Sequence, residues 1–384
     1  MLDVLAPFAF TRGILIAAAW IGFHLFSFPL NSLKWEVASD GMTQRIVGRL
    51  SASNYPLINM WSRWDAGWYL GVAKDGYQFC PDKQSNVVFF PAYPYLVRFF
   101  HSVVPFSSDA SWLAVGIILS NTALIVALTY LYLLVRLEHD EPSAKRAVIY
   151  LCIFPMTLFL SAVYSESVFL AFSTAAFYYA RRRRWACAGV LAAAAILCRP
   201  PGVLIVLPLS FEYFSQKEFK WSRVRFDCLP LLLAPLSLAA YLGLLRWRFG
   251  AWDVLWKAES VPGWNHVFTL PWSTLLRSLQ GIHLSLQYHG VFELLFAAIL
   301  VVLSISCCFK LRACYAIYAI ASTFWTLSWG NLRSVPRYAM AVFPVIIVLA
   351  LLGRNRLFHW LYLPLAATVA VVSMIVFSQW GWVS

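Results

Sequence analysis

The fold of this chain depends on residues 185–214, which are WACAGVLAAAAILCRPPGVLIVLPLSFEYF. The block is oily, but Arg199-Pro-Pro-Gly202 interrupts it, and such a Pro and Gly cluster is a signal for a break. We therefore predict two short helices that meet at Arg199. One long kinked helix is the alternative, and it would reverse the orientation of every later segment.

The composition predicts an all-α polytopic membrane protein. Of the 384 residues, 61% are hydrophobic and only 12% are charged, which leaves too little polar surface for a soluble protein of this size. The formal net charge is +13, but the basic residues cluster between apolar runs, as topology signals do, so nucleic acid is disfavoured as a partner. The eight cysteines form no C-x-x-C pair and no Cys/His ligand spacing, so neither a zinc site nor a disulfide framework is indicated.

Apolar runs long enough to cross a bilayer, about 20 residues or fewer for short spans, lie near residues 12–30, 111–135, 147–162, 165–180, 228–247, 290–309, 313–330, 337–353 and 358–378. With two short helices in 185–214 the total is eleven spans, and with one kinked helix it is ten. Eleven spans and a cytoplasmic N-terminus make every inside loop basic, whereas ten would place the basic loops after residue 214 outside. We therefore favour eleven spans in a single transmembrane domain, residues 1–384.

This topology leaves two long outer loops, residues 31–110 and 248–289. The first loop carries the stretch WSRWDAGWY, residues 61–69, centred on Asp65. Helical spacing predicts one face that combines a carboxylate with aromatic rings: Trp61, Asp65, Trp68 and Tyr69. An interfacial helix anchored by tryptophans, with Asp65 solvated or paired to Arg63, is the structural alternative. Residues 87–98 are apolar but too short and Pro-broken for a span, so we expect them in the interface.

Further ionisable residues fall at helix ends on the same predicted side of the membrane. The convergent features are Asp65, Glu166 in Tyr164-Ser-Glu-Ser167, Arg199, the loop from Arg246 to His266, and Arg333 with Pro336-Arg-Tyr338. An ionisable side chain at mid-bilayer costs ~2.5 kcal/mol or more, so such residues usually mark a site. Each has a structural alternative. Arg199 can be a snorkelling anchor, Glu166 a helix-terminal acid favoured by the dipole, and Arg337 a topology residue.

These residue types fit the transfer of a sugar from a polyprenyl phosphate to an alcohol. The transfer needs a base, and Asp65 can take the proton of the acceptor. The leaving phosphate monoester departs as an anion, so one acid plus cations suffices, and the phosphate can be held by Arg199, Arg333 or Arg337. Aromatic side chains can stack on the sugar, namely Trp64, Trp68 and Tyr69. The sequence has no D-x-D pair and no Gly-rich phosphate loop, which disfavours a soluble nucleotide-sugar donor.

The chain resembles the PIG-V family of membrane mannosyltransferases, within the GT-C superfamily of glycosyltransferases that use polyprenyl-phosphate sugars. The resemblance rests on short motifs in a fixed order: Arg63-Trp-Asp-Ala-Gly-Trp-Tyr69 with Gly76-Tyr77, Phe89-Phe-Pro-Ala-Tyr-Pro94, Ser165-Glu-Ser167, Arg199-Pro-Pro-Gly202, Phe249-Gly250, and Pro336-Arg-Tyr338 with Phe343-Pro344. It implies a GT-C-like helical bundle with Asp65 as the catalytic base. The predicted substrate-binding residues are Arg63, Trp64, Trp68, Tyr69, Tyr93, Glu166, Arg199, His266, Arg333, Arg337 and Tyr338.

The resemblance implies an inverting, metal-independent transferase that moves a sugar, mannose by family, to a lipid-linked or outer-face hydroxyl. No cofactor is expected besides the lipid-linked sugar as co-substrate, and the expected partners are that donor, a lipid or glycan acceptor and membrane lipids. The chain has no N-x-S/T sequon, which favours a bacterial cytoplasmic membrane, with the active site on its outer face, over the endoplasmic reticulum.

Two other functions fit part of the same pattern. A transporter or flippase of lipids or lipid-linked sugars also uses many helices and charged residues, although this chain shows no internal repeat and its charges crowd one face. A non-catalytic subunit of a larger membrane assembly is the other alternative, and in that case Asp65 is dispensable.

Overall fold

The computed structural model describes residues 1–25, 56–262, 264, 266–285, 288–379 and 381–383. Residues 26–30 of the first predicted span and residues 31–55 of the first outer loop lie outside the described residues. In the described ranges the regular structure is helical, which confirms the all-α prediction. The α-helices in chain order are α1 Leu2–Leu25, α2 Pro56–Asn59, α3 Ala66–Asp75, α4 Ala92–His101, α5 Asp109–Glu138, α6 Glu141–Cys152, α7 Glu166–Arg181, α8 Trp185–Ile196, α9 Val206–Gln216, α10 Leu233–Phe249, α11 Val254–Ser260, α12 Pro271–Ser285, α13 Tyr288–Lys310, α14 Ala313–Leu327, α15 Val335–Ala341, α16 Phe343–Leu352 and α17 Arg356–Ser378.

The oily block 185–214 folds back on itself as a hairpin. Helix α8 ends at Ile196, a 3₁₀ turn covers Pro200–Ile205, and α9 returns antiparallel, so that the rings of Trp185 and Tyr213 stand 5.0 Å apart. At the tip, a Cβ on Gly202 would lie 2.6 Å from the carbonyl oxygen of Ala195, so only glycine fits there. The two-helix prediction therefore describes this block, and the kinked-helix alternative does not.

Ion pairs join the helix ends that the predicted topology assigns to the cytoplasmic side. Arg181, at the end of α7, pairs with Glu138 at the end of α5 and with Glu212 near the end of α9, at 2.5 Å each. Arg354, between α16 and α17, pairs with Asp140 between α5 and α6 at 2.5 Å. These residues all come from segments that the sequence places on the cytoplasmic side.

By length and composition, five helical segments of the described chain suit a membrane crossing: Leu2–Gly22, Asp109–Glu138, Phe226–Phe249, Gly290–Lys310 and Arg356–Ser378. A sixth is obtained if α15 and α16, which are bent by 82° at their junction, count as one. The other predicted spans form shorter helices of 11 to 16 residues, such as α9 and α7. The count of eleven stays a prediction.

Two predicted spans differ from the structure, and proline explains both. The run 147–162 does not continue as a helix, because α6 ends at Cys152 just before Phe154-Pro155, and a residue before proline is pushed out of the helical region. The run 337–353 is divided at Val342 between α15 and α16, and Pro344 occupies the start of α16. The connection after α6 instead leads into Glu166, the first residue of α7.

A buried arginine in α1 holds that connection in place. The guanidinium of Arg12 donates to the carbonyl oxygens of Cys152 (2.9 Å) and Thr157 (3.0 Å) and to the hydroxyls of Thr157 (2.7 Å) and Ser161 (2.9 Å). Cys152 is the last residue of α6, where carbonyl oxygens have no partner within the helix. Arg12 therefore caps α6 and fixes the segment that precedes Glu166.

Candidate active site

An open cavity of about 120 Å³ lies where the predicted outer ends of the helices meet. It is lined by segments from across the sequence: Asp65, Tyr69, Val88, Phe89, Phe90, Cys198, Arg199, Pro200, Glu259, Trp264, His266, Arg333, Ser334, Arg337, Tyr338 and Trp382. Seven of the twelve predicted site residues are in this lining, namely Asp65, Tyr69, Arg199, His266, Arg333, Arg337 and Tyr338. The structure therefore brings these seven residues together, although they are far apart in the sequence.

Asp65 enters the cavity at the start of α3. Its neighbour Trp64 has a positive φ of 54°, an uncommon conformation for a bulky residue, and this turn sets Asp65 at the position before the first helical residue. The hydroxyl of Tyr164 braces the turn, because it accepts from the Asp65 N–H (3.1 Å) and donates to the Arg63 carbonyl (2.9 Å). The continuous helical face expected for residues 61–69 is wrong at Trp61, which precedes this turn and lies outside α3.

Four charged side chains form a chain of alternating sign beside the cavity. Asp65 Oδ2 accepts from Arg337 Nη1 at 2.7 Å, Arg337 Nε lies 3.5 Å from Glu166 Oε1, and that same oxygen lies 2.8 Å from Arg199 Nη1. The Glu166 side chain is 1% exposed, Arg337 7% and Asp65 16%, so the acid nearest the cavity is the most accessible of these three. The set carries two positive and two negative charges, which is the condition for burying ions at tolerable cost.

Arg337 is held by its backbone and by aromatic rings. Ser334 has a φ of 65°, and the chain then enters α15 with Pro336 in the first turn, where its missing N–H costs nothing. The guanidinium carbon lies 5.1 Å from the ring centre of Tyr338 and 5.5 Å from that of Tyr164. The guanidinium carbon of Arg199 also lies 5.1 Å from the centre of the Tyr338 ring, so both arginines contact this ring.

A third arginine is more open to the cavity. Arg333 is exposed, and its guanidinium carbon lies 4.8 Å from the ring centre of Trp382. Trp382 in turn packs edge-on against Trp64 at 5.1 Å, and the Trp64 indole N–H donates to the Gly381 carbonyl at 3.3 Å. The segment after α17 thus forms one side of the cavity through Trp382. The sequence analysis did not predict this contribution, for which the only indication was one more tryptophan on the predicted outer face.

The second outer loop contributes a carboxylate and an imidazole in direct contact. Glu259 Oε2 lies 2.5 Å from His266 Nδ1, and the His266 N–H donates to the Glu259 carbonyl at 3.0 Å. Between them in sequence, Trp264 packs against Trp68 and Phe89, with ring centres 5.8 Å apart in each case. His266 was a sequence prediction. Glu259 was missed, although an acid seven residues before His266 was visible in the sequence.

The remaining predicted residues lie behind the lining. Arg63 donates to the Ser378 carbonyl at 3.1 Å, so it ties the first outer loop to the end of α17. Tyr93 is fully buried and donates to the Gly116 carbonyl at 3.1 Å. Glu166 contacts the cavity only through Arg199 and Arg337. Trp64 and Trp68 pack against residues of the wall, as described above.

Tyr69 links the cavity to the start of α7. Its hydroxyl lies 2.7 Å from Ser165 Oγ, and burial raises the pKa of Tyr69 well above its ordinary value, with Glu166 adding to the shift. The phenol therefore stays protonated at any physiological pH and acts as a hydrogen-bond group. In the described part of the chain, no group of three or more His, Cys, Asp or Glu side chains is placed to hold a metal ion.

The helices and the charged cavity define a polytopic membrane protein with a polar site at the predicted outer ends of its helices. Residues 39–221 match the sequence profile described as Mannosyltransferase (PIG-V), so the chain is PIG-V-like over this region, and the resemblance predicted from its motifs is confirmed. The motifs at Phe249-Gly250 and Pro336-Arg-Tyr338 lie beyond the matched residues.

Curated relatives agree with the profile. The chain is 26% identical over 199 residues to GPI mannosyltransferase 2 of Drosophila melanogaster, covering 48% of this chain and 42% of that protein. It is 29% identical over 156 residues to GPI alpha-1,6-mannosyltransferase 2 of Rattus norvegicus, covering 39% of this chain and 31% of that protein. The chain thus matches less than half the length of these relatives.

Solved structures of the Archaeoglobus fulgidus oligosaccharyltransferase are also similar. One, in complex with zinc and sulfate, has a TM-score of 0.46 at 14% identity and covers 84% of this chain and 48% of that one. Another, in complex with an inhibitory peptide and a dolichol-phosphate, has a TM-score of 0.39 at 13% identity and covers 96% of this chain and 55% of that one.

Proposed function

We propose that this protein transfers a sugar, mannose, from a polyprenyl phosphate to a hydroxyl of a lipid-linked or glycan acceptor, with inversion and without a metal ion. The observation that carries the proposal is the cavity itself, in which the partly accessible carboxylate of Asp65 and the exposed Arg333 face the same space. The PIG-V-like sequence supports the reaction class.

Asp65 is the proposed base for the acceptor hydroxyl. Its Oδ2 holds Arg337, while its Oδ1 makes no hydrogen bond to the described residues and is open to accept a proton. The Tyr164 hydroxyl fixes the backbone at Asp65, so the carboxylate is oriented before substrate binds. Such preorganisation is what makes a positioned base effective.

Arg333 is the proposed partner of the donor phosphate. The sequence offered Arg199, Arg333 and Arg337 for this role, but the Arg337 guanidinium is buried and bonded to Asp65, and α15 has only seven residues. Arg333 is exposed at the same cavity and sits against Trp382, which fixes its position. A polyprenyl tail stays in lipid, so its phosphate lies at the membrane boundary, where the predicted outer end of the bundle places this cation.

A transfer assay tests the proposal. Purified protein is reconstituted in vesicles with a lipid extract and polyprenyl-phosphate mannose labelled in the sugar, and the label is followed into product. We expect transfer by the wild type, and none by Asp65→Asn, which keeps the size of the side chain but removes its basicity. Asp65→Asn should still bind the donor.

Asp75→Asn is the matched control, because Asp75 ends the same helix, is exposed, and does not line the cavity. It should transfer at the wild-type rate. Near-normal turnover by Asp65→Asn would remove Asp65 from the reaction. Movement of labelled donor across the bilayer without any labelled product would identify a flippase instead, and a chelator that stopped transfer would contradict metal independence.

A further inference from the structure

We propose that Glu259, Trp264 and His266, all from the second outer loop, form the part of the cavity that holds a sugar ring and selects it by its hydroxyl groups. This inference rests on the proposed function and adds which residues contact the sugar. A sugar ring can arrive on the donor or on a glycan acceptor, and both sources bring the same chemistry. His266 was predicted to bind substrate, whereas Glu259 and Trp264 were not among the predicted site residues.

Trp264 presents an aromatic ring to the cavity, where the sequence offered Trp64 and Trp68 for stacking on the sugar. Trp68 is buried and stacks on Phe89, with ring centres 5.9 Å apart and planes 10° apart. Trp264 packs against both of these rings and lines the cavity itself. A flat ring backed by two others can lie against the C–H face of a sugar, and this contact removes apolar surface from water.

The carboxylate and the imidazole beside this ring keep atoms available for hydroxyl groups. Glu259 Oε2 and His266 Nδ1 contact each other, but Glu259 Oε1 and His266 Nε2 make no hydrogen bond to the described residues. The two side chains remain 17% and 24% exposed, and both line the cavity. In a neutral imidazole that donates Nδ1–H to the carboxylate, Nε2 is an acceptor, and a hydroxyl can bond to it in either protonation state because O–H groups both donate and accept.

The loop holds these three side chains in place before a ligand arrives. The main-chain N–H of His266 donates to the Glu259 carbonyl at 3.0 Å, and that of Trp264 donates to the Val261 carbonyl at 3.2 Å. The imidazole also packs against Trp329, with ring centres 5.7 Å apart. Groups that are already ordered lose little conformational freedom on binding, so their contacts contribute more fully to affinity.

Charge separates this part of the cavity from the part proposed for the phosphate. With Glu259 ionised, the pair with His266 carries no net positive charge in either protonation state of the imidazole, so it suits an uncharged sugar better than a phosphate. Arg333, the proposed phosphate partner, lies on the segment after α14. A site whose polar atoms bond to hydroxyls rejects an analogue that lacks them, because those atoms are then left without a partner.

The test compares the binding of two diesters of equal charge, polyprenyl-phosphate mannose and methyl polyprenyl phosphate, to the purified protein. The ratio of their Kd values measures what the sugar contributes. A hydrogen bond to a charged group is worth roughly 10- to 150-fold, so the wild type should bind the mannosyl diester about 10-fold or more tightly. Glu259→Gln and Trp264→Ala should bring the ratio to within about threefold of one, and Trp264→Phe, which keeps a ring, should retain most of it.

A second measurement covers a sugar that belongs to the acceptor. Transfer is followed at saturating donor while the amount of lipid extract is varied. If the acceptor brings the sugar, the wild type binds both diesters equally, and Glu259→Gln and Trp264→Ala raise the amount of extract needed for half-maximal transfer by about 10-fold or more. Either result supports the site, and the pair of measurements identifies the source of the sugar.

Arg333→Gln distinguishes loss of sugar contacts from loss of phosphate contacts, because it should weaken both diesters and leave their ratio unchanged. Asp253→Asn and Trp256→Ala are matched controls, since both residues are exposed in the same loop and do not line the cavity. They should keep the wild-type ratio and the wild-type dependence on extract. Binding of the methyl diester by each variant shows that the variant is folded.

The sugar site is overturned if Glu259→Gln and Trp264→Ala keep both the Kd ratio and the extract dependence of the wild type. A wild type that prefers the mannosyl diester but transfers no label contradicts the proposed function and leaves the sugar site standing. Equal binding of the two diesters without any transfer overturns both.

Discussion

Of the four charged side chains beside the cavity, Arg337 should destabilise the protein most when it is replaced. Removing the Asp65 charge at the same time should reverse part of that loss. Arg337 bonds Asp65 at 2.7 Å, lies 3.5 Å from Glu166, and is 7% exposed. In Arg337→Gln the network keeps Asp65, Glu166 and Arg199, with one uncompensated negative charge. Breaking a buried pair in this way costs about 3–5 kcal/mol.

The partner change is milder. Asp65→Asn leaves Arg337 beside Glu166 and removes one charge-assisted hydrogen bond, at a cost of about 1.5–3 kcal/mol. The double variant holds Glu166 and Arg199 alone, which balance each other at 2.8 Å. We therefore expect it to be no less stable than Arg337→Gln, with a coupling free energy of roughly 1.5–3 kcal/mol between the two sites.

The assay is denaturant titration of all four proteins in the same detergent, followed by tryptophan fluorescence. Arg333→Gln serves as the control for loss of an arginine, because Arg333 is exposed, and it should cost less than about 1 kcal/mol. If the two single changes add within about 0.5 kcal/mol in the double variant, then Arg337 is not the counter-ion of Asp65 and the charge argument fails.

Three further outcomes follow from the backbone and from Arg12. Gly202→Ala should destabilise the hairpin by about 1–3 kcal/mol, because the new methyl group would lie 2.6 Å from the Ala195 carbonyl oxygen. Gly243→Ala is the control, because a methyl group there has nothing within 4 Å, and it should be neutral or slightly stabilising in the same denaturant titration. Ser334→Gly should cost little and Ser334→Val about 1–2 kcal/mol, since φ is 65° at this position; equal effects would show that the backbone is not strained there. Arg12→Leu should lower the unfolding free energy by about 3 kcal/mol or more, because Cys152, Thr157 and Ser161 lose their hydrogen-bond donor. Arg12→Lys should recover part of this stability. A leucine variant as stable as the wild type would refute the capping role of Arg12.

The sequence predicts which ends of the helices meet but not which charges pair. Positive-inside counting places Asp65, Arg199, His266 and Arg333 on one side, and the cavity contains all of them. Pairing depends on packing between residues far apart in the chain, which no local pattern encodes. The sequence therefore offered Arg337, with Arg199 and Arg333, as a phosphate partner, whereas Arg337 bonds Asp65, 272 residues away.

Local backbone explains most other differences. The positive φ of Trp64 interrupts the helical spacing that grouped Trp61 with Asp65, and no periodicity reveals such a residue. The bend at Val342 was visible in principle, because Pro344 follows it within the predicted span. Glu259 was equally visible, but a single acid gains meaning only when its loop brings it to His266.

The separation of Asp65 from Arg337 also has a consequence for biosynthesis. Chains are made at about 5–20 residues per second, so the 272 residues between the two side chains take roughly 14–54 s to synthesise. Glu166 and Arg199 are made within that interval, and from then until Arg337 follows the network consists of two acids and one arginine, without its last cation. The insertion machinery, or water retained at the outer surface, must therefore shelter an uncompensated carboxylate until Arg337 itself arrives. A ribosome that stalls before Arg337 leaves a nascent protein in which Asp65 lacks its counter-ion.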